Sequence, residues 1–171
     1  MRLLLLRHAK AEKADIEMRD RDRGLTARGR KNAAQIAAYM VRRGLLPDRV
    51  LVSSAQRTRE TWEQMLPAFS TSPRVAFEDR LYEAGPEAII GVIKAEGGTA
   101  SALLVVGHNP GVYDTARLLI AGEDAAELAE GLPTAGLVVI DLPGKNWRAL
   151  SPGSGRLTHF ATPRRVEAES E

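Results

Sequence analysis

Cysteine is absent from this 171-residue sequence, which excludes disulfides, thiolate metal sites and cysteine nucleophiles. Aromatic residues make up only 5% of it, too few for a base-stacking platform. Neither charge sign dominates: 24 Lys and Arg against 22 Asp and Glu leave a formal net charge of +2, which is no argument for nucleic acid. Long apolar runs are missing too. The leucines Leu3 to Leu6 are followed at once by Arg7, His8 and Lys10. The segment is too short for a secretory signal and well below the roughly 18 apolar residues that cross a membrane. These absences leave a cytoplasmic protein, with neither nucleic acid nor membrane as partner, as the expectation.

What is present is the balance of a globular chain, 44% hydrophobic and 27% charged. The length suits one domain, expected over residues 1–162, with a charged tail over residues 163–171 (PRRVEAESE) expected to fray. Leu3 to Leu6 have no period of two, so they read as a strand buried on both faces. The polar stretch from Lys10 to Gly24 reads as a solvated loop. Thr26 is placed to cap a helix carrying Ala33, Ile36, Ala37, Met40 and Val41, and Gly44 to stop it. Val50 to Val52 is a second strand and Gln56 to Met65 a helix. Val75 to Phe77 is a weaker strand, Pro86 to Lys94 a helix, Ala102 to Val106 a buried strand and Val112 to Ile120 a helix. Leu137 to Leu142 is a strand that Trp147 to Leu150 is expected to join across Pro143-Gly144. Strands alternating with helices predict an α/β fold with a mainly parallel sheet.

In such sheets ligands bind beyond the carboxyl ends of the strands. Arg7 and His8 follow the first strand, Arg57 the second, Glu83 the third and His108 the strand ALLVV. Two guanidinium forks meeting at one place match phosphate oxygens, and helix starts near Gln56 and Gly111 would add N–H donors. A neutral imidazole among cations is a nucleophile toward phosphorus. Arg7, Arg57 and a protonated His108 could then hold the equatorial oxygens while His8 attacks in line and water cleaves the phosphohistidine. That chemistry calls for no metal and no cofactor, and two histidines alone are a poor metal site.

These segments resemble a known family. LLLLRHAKAE resembles the Arg-His-Gly signature of the histidine phosphatase superfamily, the phosphoglycerate mutase-like group. SSAQRTRET is similar to its Ser-x-x-x-Arg-x-x-x-Thr segment, LLVVGHNPGV to its Gly-His-x-Pro segment, and GLTARGRKNA to the Leu-Thr-x-x-Gly start of its first helix. Order and spacing match from about Arg2 to Leu142. RHAKAE and VGHNPG look most like the SixA-type phosphohistidine phosphatases. The resemblance implies a three-layer α/β/α sandwich of the phosphoglycerate mutase type without a large lid insertion. It implies His8 as the phosphorylated nucleophile, Arg7 and Arg57 as phosphate ligands, and His108 as the second catalytic histidine on the transferring phosphoryl group. Glu83 falls where larger relatives place an acid for the leaving oxygen. Ala9 stands where the signature has glycine, and the long insertion around Glu83 is missing.

Each residue also has a plainer reading. His8 could be a core histidine, Arg57 a helix-surface ion pair, His108 a helix cap, Glu83 a surface charge and RDRDRG a solvated loop or a steering one. Taken together the residues point to a metal-independent phosphatase acting through phosphohistidine, with a phosphohistidine-bearing protein as its partner. A small-molecule phosphomonoesterase, a mutase and a phosphate-binding module without chemistry are the alternatives.

Overall fold

The computed structural model describes residues 1–170. Its core is a six-stranded sheet in the order β3-β2-β4-β1-β5-β6. The strands are β1 (Arg2–Arg7), β2 (Arg49–Ser53), β3 (Arg74–Glu78), β4 (Ala102–Gly107), β5 (Leu137–Asp141) and β6 (Arg156–Ala161). β1 to β4 run parallel, and β5 is antiparallel to both β1 and β6. The helices are α1 (Ala27–Arg42), α2 (Gln56–Met65), α3 (Pro86–Glu96), α4 (Gly111–Leu119) and α5 (Pro163–Ala168).

The unbroken apolar run in β1 follows from its place between β4 and β5. Leu4 and Leu6 pack on one face with Ile36 and Met40 of α1, Trp62 of α2 and Val166 of α5. Leu3 and Leu5 pack on the other with Ile89 and Ile93 of α3 and Val112 and Leu119 of α4. This is the expected three-layer sandwich. Each of these leucines is at most 1% exposed, a burial worth about 1.5–3 kcal/mol apiece. The path from β3 to α3 takes only residues 79–85, a 3-10 turn at Asp79–Leu81 and a short loop, so it carries no large insertion.

The start of α1 also pins the segment after β1. Thr26 caps the helix by accepting from the Gly29 amide at 3.0 Å, and its own amide donates to the Lys10 carbonyl at 2.9 Å. A Cβ at Gly29 would lie 2.1 Å from that carbonyl oxygen, so the close approach requires glycine. At the far end Gly44 takes a positive φ of 66°, as its expected role as helix stop demands.

Two expectations are corrected. Trp147 to Leu150 does not pair with β5: Trp147–Ala149 is a 3-10 turn, and the partner strand is β6. The Trp147 indole is 1% exposed and donates to the Ala100 carbonyl at 2.8 Å, so burying it at the far end of α3 outweighed pairing. Nor does the tail from Pro163 fray through residue 168. Thr162 caps α5 by accepting from the Arg165 amide, Val166 is buried in the core, and Arg43 pairs with Glu169 at 2.9 Å. Among the described residues no helix is long and apolar enough to cross a membrane.

Candidate active site

β4 lies between β1 and β2, so the carboxyl ends of these three parallel strands are neighbours. The His8 amide continues the ladder, donating to the Gly107 carbonyl at 3.0 Å. The imidazoles of His8 and His108, a hundred residues apart in sequence, thus face each other with ring centroids 5.4 Å apart and planes tilted by 57°. Both rings are buried. Arg57, in the first turn of α2, is 5% exposed, and with Arg7 it is close enough to act electrostatically on His8. Four of the five expected residues therefore gather at these neighbouring strand ends.

The His8 ring has a fixed tautomer. Its Nδ1 lies 2.7 Å from the Ala9 carbonyl oxygen. A carbonyl only accepts, so Nδ1 carries the hydrogen and a neutral ring keeps its lone pair on Nε2. Ala9, in place of the signature glycine, fits without strain: its φ is not positive, and its amide donates to Thr61 Oγ1 at 3.0 Å. Thr61 in turn donates to the Arg57 carbonyl at 2.7 Å. His108 Nε2 lies 2.7 Å from Ser53 Oγ, while its buried Nδ1 has no partner. The ring does not cap α4, whose N-cap lacks a side-chain bond. Ser53 and Thr61 thus hold the far side of His108 and the turn after His8. Both belong to the Ser-x-x-x-Arg-x-x-x-Thr spacing of SSAQRTRET, whose pattern alone assigns a role only to the arginine.

The charged loop is exposed to solvent from residue 12 to residue 22, as expected, but its end also reaches the site. Asp20 lies in a short 3-10 turn, Asp20–Asp22. Arg57 donates to its carbonyl at 2.8 Å and its carboxylate at 3.1 Å, and the Tyr82 hydroxyl donates to the same carboxylate at 2.6 Å. Arg23 pairs with Asp20 at 3.0 Å. The Tyr82 ring meets His108 edge-on, with centroids 5.6 Å apart. Arg21 lies over Tyr82 and bonds Ser54 and Asp79. Asp20 and Tyr82 were both missed. Their partners are 37 and 62 residues away, and the only available signal was the density of Asp and Arg before Leu25.

Arg7 donates to the Leu132 carbonyl at 3.0 Å, and the Asn109 amide donates to the same oxygen at 2.8 Å. Buried Nε atoms of Arg7 and Arg57 have no partner. Unpaired buried polar atoms are costly, and four of them, counting His108 Nδ1 and the acceptor Asn109 Oδ1, belong to these strand-end residues. An oxyanion would satisfy the donors among them. Glu83 is different. It is exposed, takes a positive φ of 53° and has no hydrogen bond or ion pair among the described residues. It reaches the site only through its neighbour Tyr82. Nor do the described residues gather three His, Asp or Glu side chains able to hold a metal.

Burial, more than the nearby arginines, depresses the proton affinity of both rings, with Arg57 adding to it: His8 is lowered to about 4 and His108 to about 3, from an ordinary 6.5. His108 is therefore neutral near pH 7 rather than protonated. A bound phosphoryl dianion would have to draw the proton to it. The same shifts set an acid response. Below about pH 6.5 the unfolded chain takes up protons that the folded rings refuse, so stability is full above that pH and falls as pH drops through about 4. The urea midpoint should be lower at pH 5 than at pH 7, an interval in which ordinary carboxylates stay ionised, and His108→Gln should narrow the gap. Equal midpoints at the two pH values would show that the rings are not held neutral.

Comparison with known proteins gives matches in family and fold. A family profile described as the histidine phosphatase superfamily (branch 1) matches residues 3–91. An uncharacterised protein of Mycobacterium tuberculosis is 36% identical over 166 residues, covering 93% of this chain and 100% of its own length. The crystal structure of a candidate phosphohistidine phosphatase SixA from Agrobacterium tumefaciens has a TM-score of 0.82 and 36% identity, over 95% of this chain and 97% of that one. A candidate phosphohistidine phosphatase SixA from Nakamurella also gives a TM-score of 0.82, at 30% identity and 95% coverage of both chains.

Proposed function

Because this chain belongs to the histidine phosphatase superfamily and is accordingly a phosphatase, we propose that it works through a covalent phosphohistidine on His8 and that its substrate is a phosphohistidine carried by another protein. The observation that carries the first part is the His8–Ala9 hydrogen bond, which leaves Nε2 as the free nucleophilic nitrogen. In this scheme Nε2 attacks phosphorus while the bond from phosphorus to the substrate imidazole breaks. The departing ring, protonated on its other nitrogen, leaves neutral. Arg7, Arg57 and His108 bear the charge on the equatorial oxygens. Water then attacks the phosphorylated His8, releasing inorganic phosphate and restoring the ring. The scheme needs no cofactor, and turnover should survive EDTA.

The second part draws on the two neighbours described as candidate phosphohistidine phosphatases and on the short β3–α3 connection, which leaves room for a protein-borne group to approach. A P–N bond needs little acid once its imidazole is protonated. Glu83 is the candidate acid for the leaving oxygen of an ester, so its importance separates the substrate classes. With a phosphohistidine protein, Glu83→Gln should keep kcat within about twofold of wild type. With an unactivated phosphate ester it should fall at least about tenfold. A wild type that hydrolyses esters but not phosphohistidine, and loses ester turnover in Glu83→Gln, would replace this reading with a small-molecule phosphomonoesterase.

A further inference from the structure

Beside the pocket lies a trough of about 950 Å³ whose lining reaches the site through Arg7 and Asn109, the residues next to His8 and His108 in sequence. Its charge is one-sided. Arg7, Lys10, Arg28, Arg164 and Arg165 line it against the single acid Glu130, in a chain whose net charge is only +2. These cations come from the end of β1 and the loop after it, the first turn of α1, and α5. The catalytic scheme uses only Arg7. Burial of α5 through Val166 and the capping of α1 by Thr26 hold the other cations along one rim.

We propose that this trough is a docking surface for an acidic segment of the protein that carries the phosphoryl group, which deepens the preceding reading and rests on it. The exposure of the cations points to a polypeptide rather than a small polyanion. Lys10, Arg28, Arg164 and Arg165 are all exposed and suit several spaced carboxylates. A site for one compact anion would need buried, converging donors. The floor adds apolar contact: Leu132 is buried, and half-buried Phe160 carries the Arg165 guanidinium 4.6 Å above its ring. An acidic segment lying here would run toward Arg7 and bring a neighbouring phosphoryl group to His8. Such a contact acts on capture of the substrate and weakens with salt.

The test uses the full chain and a fluorescent oligoglutamate peptide, with binding read by anisotropy at about 50 mM salt. Arg28→Glu/Arg164→Glu should bind at least about tenfold more weakly than wild type, while kcat and KM for a small aryl phosphate stay within about twofold, which also shows that the variant is folded. With a phosphohistidine protein, KM should rise and kcat hold. Equal peptide binding by the two proteins overturns the proposal. So does a result in which pyrophosphate, but not the peptide, binds in a way that depends on these arginines. Failure of wild type to hydrolyse any phosphorylated substrate would instead sink the catalytic reading and leave the peptide result standing by itself.

Discussion

His8→Ala is expected to lower kcat on any phosphorylated substrate by at least about a thousandfold while the sheet stays intact. No other group in the pocket can take over. His108, 5.4 Å away between ring centroids, is tied through Nε2 to Ser53 and has Tyr82 against its edge, so it cannot present the same nitrogen to phosphorus. The fold should tolerate the loss. The ring's hydrogen bond is to the adjacent residue, and the strand before it is held by leucines rather than by the imidazole. Initial rates on an aryl phosphate, together with circular dichroism and a thermal midpoint, check both halves. A labelled phosphoenzyme should form with wild type only, and it must be isolated without acid because phosphoramidates hydrolyse there. Activity within about tenfold of wild type would remove His8 from its role.

Arg57→Ala should raise the inhibition constant for vanadate by about a hundredfold, or roughly 2.7 kcal/mol. The guanidinium is buried, its Nε has no partner, and its other nitrogens donate to Asp20. An incoming oxyanion therefore competes with a carboxylate already in place. Asp20 is 43% exposed, so that ion pair is weakened by solvent, and Asp20→Asn should tighten vanadate only by about two- to fivefold. Opposite signs for the two variants distinguish a phosphate ligand from a structural ion pair. Unchanged inhibition in Arg57→Ala would pass the role to Arg59, which instead lies over the Phe77 ring and donates to the Ser54 carbonyl.

Much of this site was legible in the sequence because its parts lie at strand ends. Leu3–Leu6 and Ala102–Val106 are apolar enough to mark central strands, and whatever follows two adjacent parallel strands must meet. That logic finds Arg7, His8 and His108 without knowing any contact. It is silent on Asp20, because a loop's destination depends on packing rather than period: RDRDRG looks the same whether it faces water or folds back onto Arg57. It overestimated the proton affinity of His108, because burial is a property of the assembled pocket. It also missed β6, where RLTHFA is half-buried at the sheet edge, its pairing with β5 broken by a bulge near Val139. Such a strand lacks the apolar run that makes β1 plain.

The placement of β1 has a consequence for how this phosphatase fails. The proposed nucleophile, His8, directly follows β1, one of the two central strands, which lies between β4 and β5, and is not on a surface lobe that can loosen alone. Warming should therefore leave the chemistry whole until the molecule collapses cooperatively, so that inactivation and melting are one event.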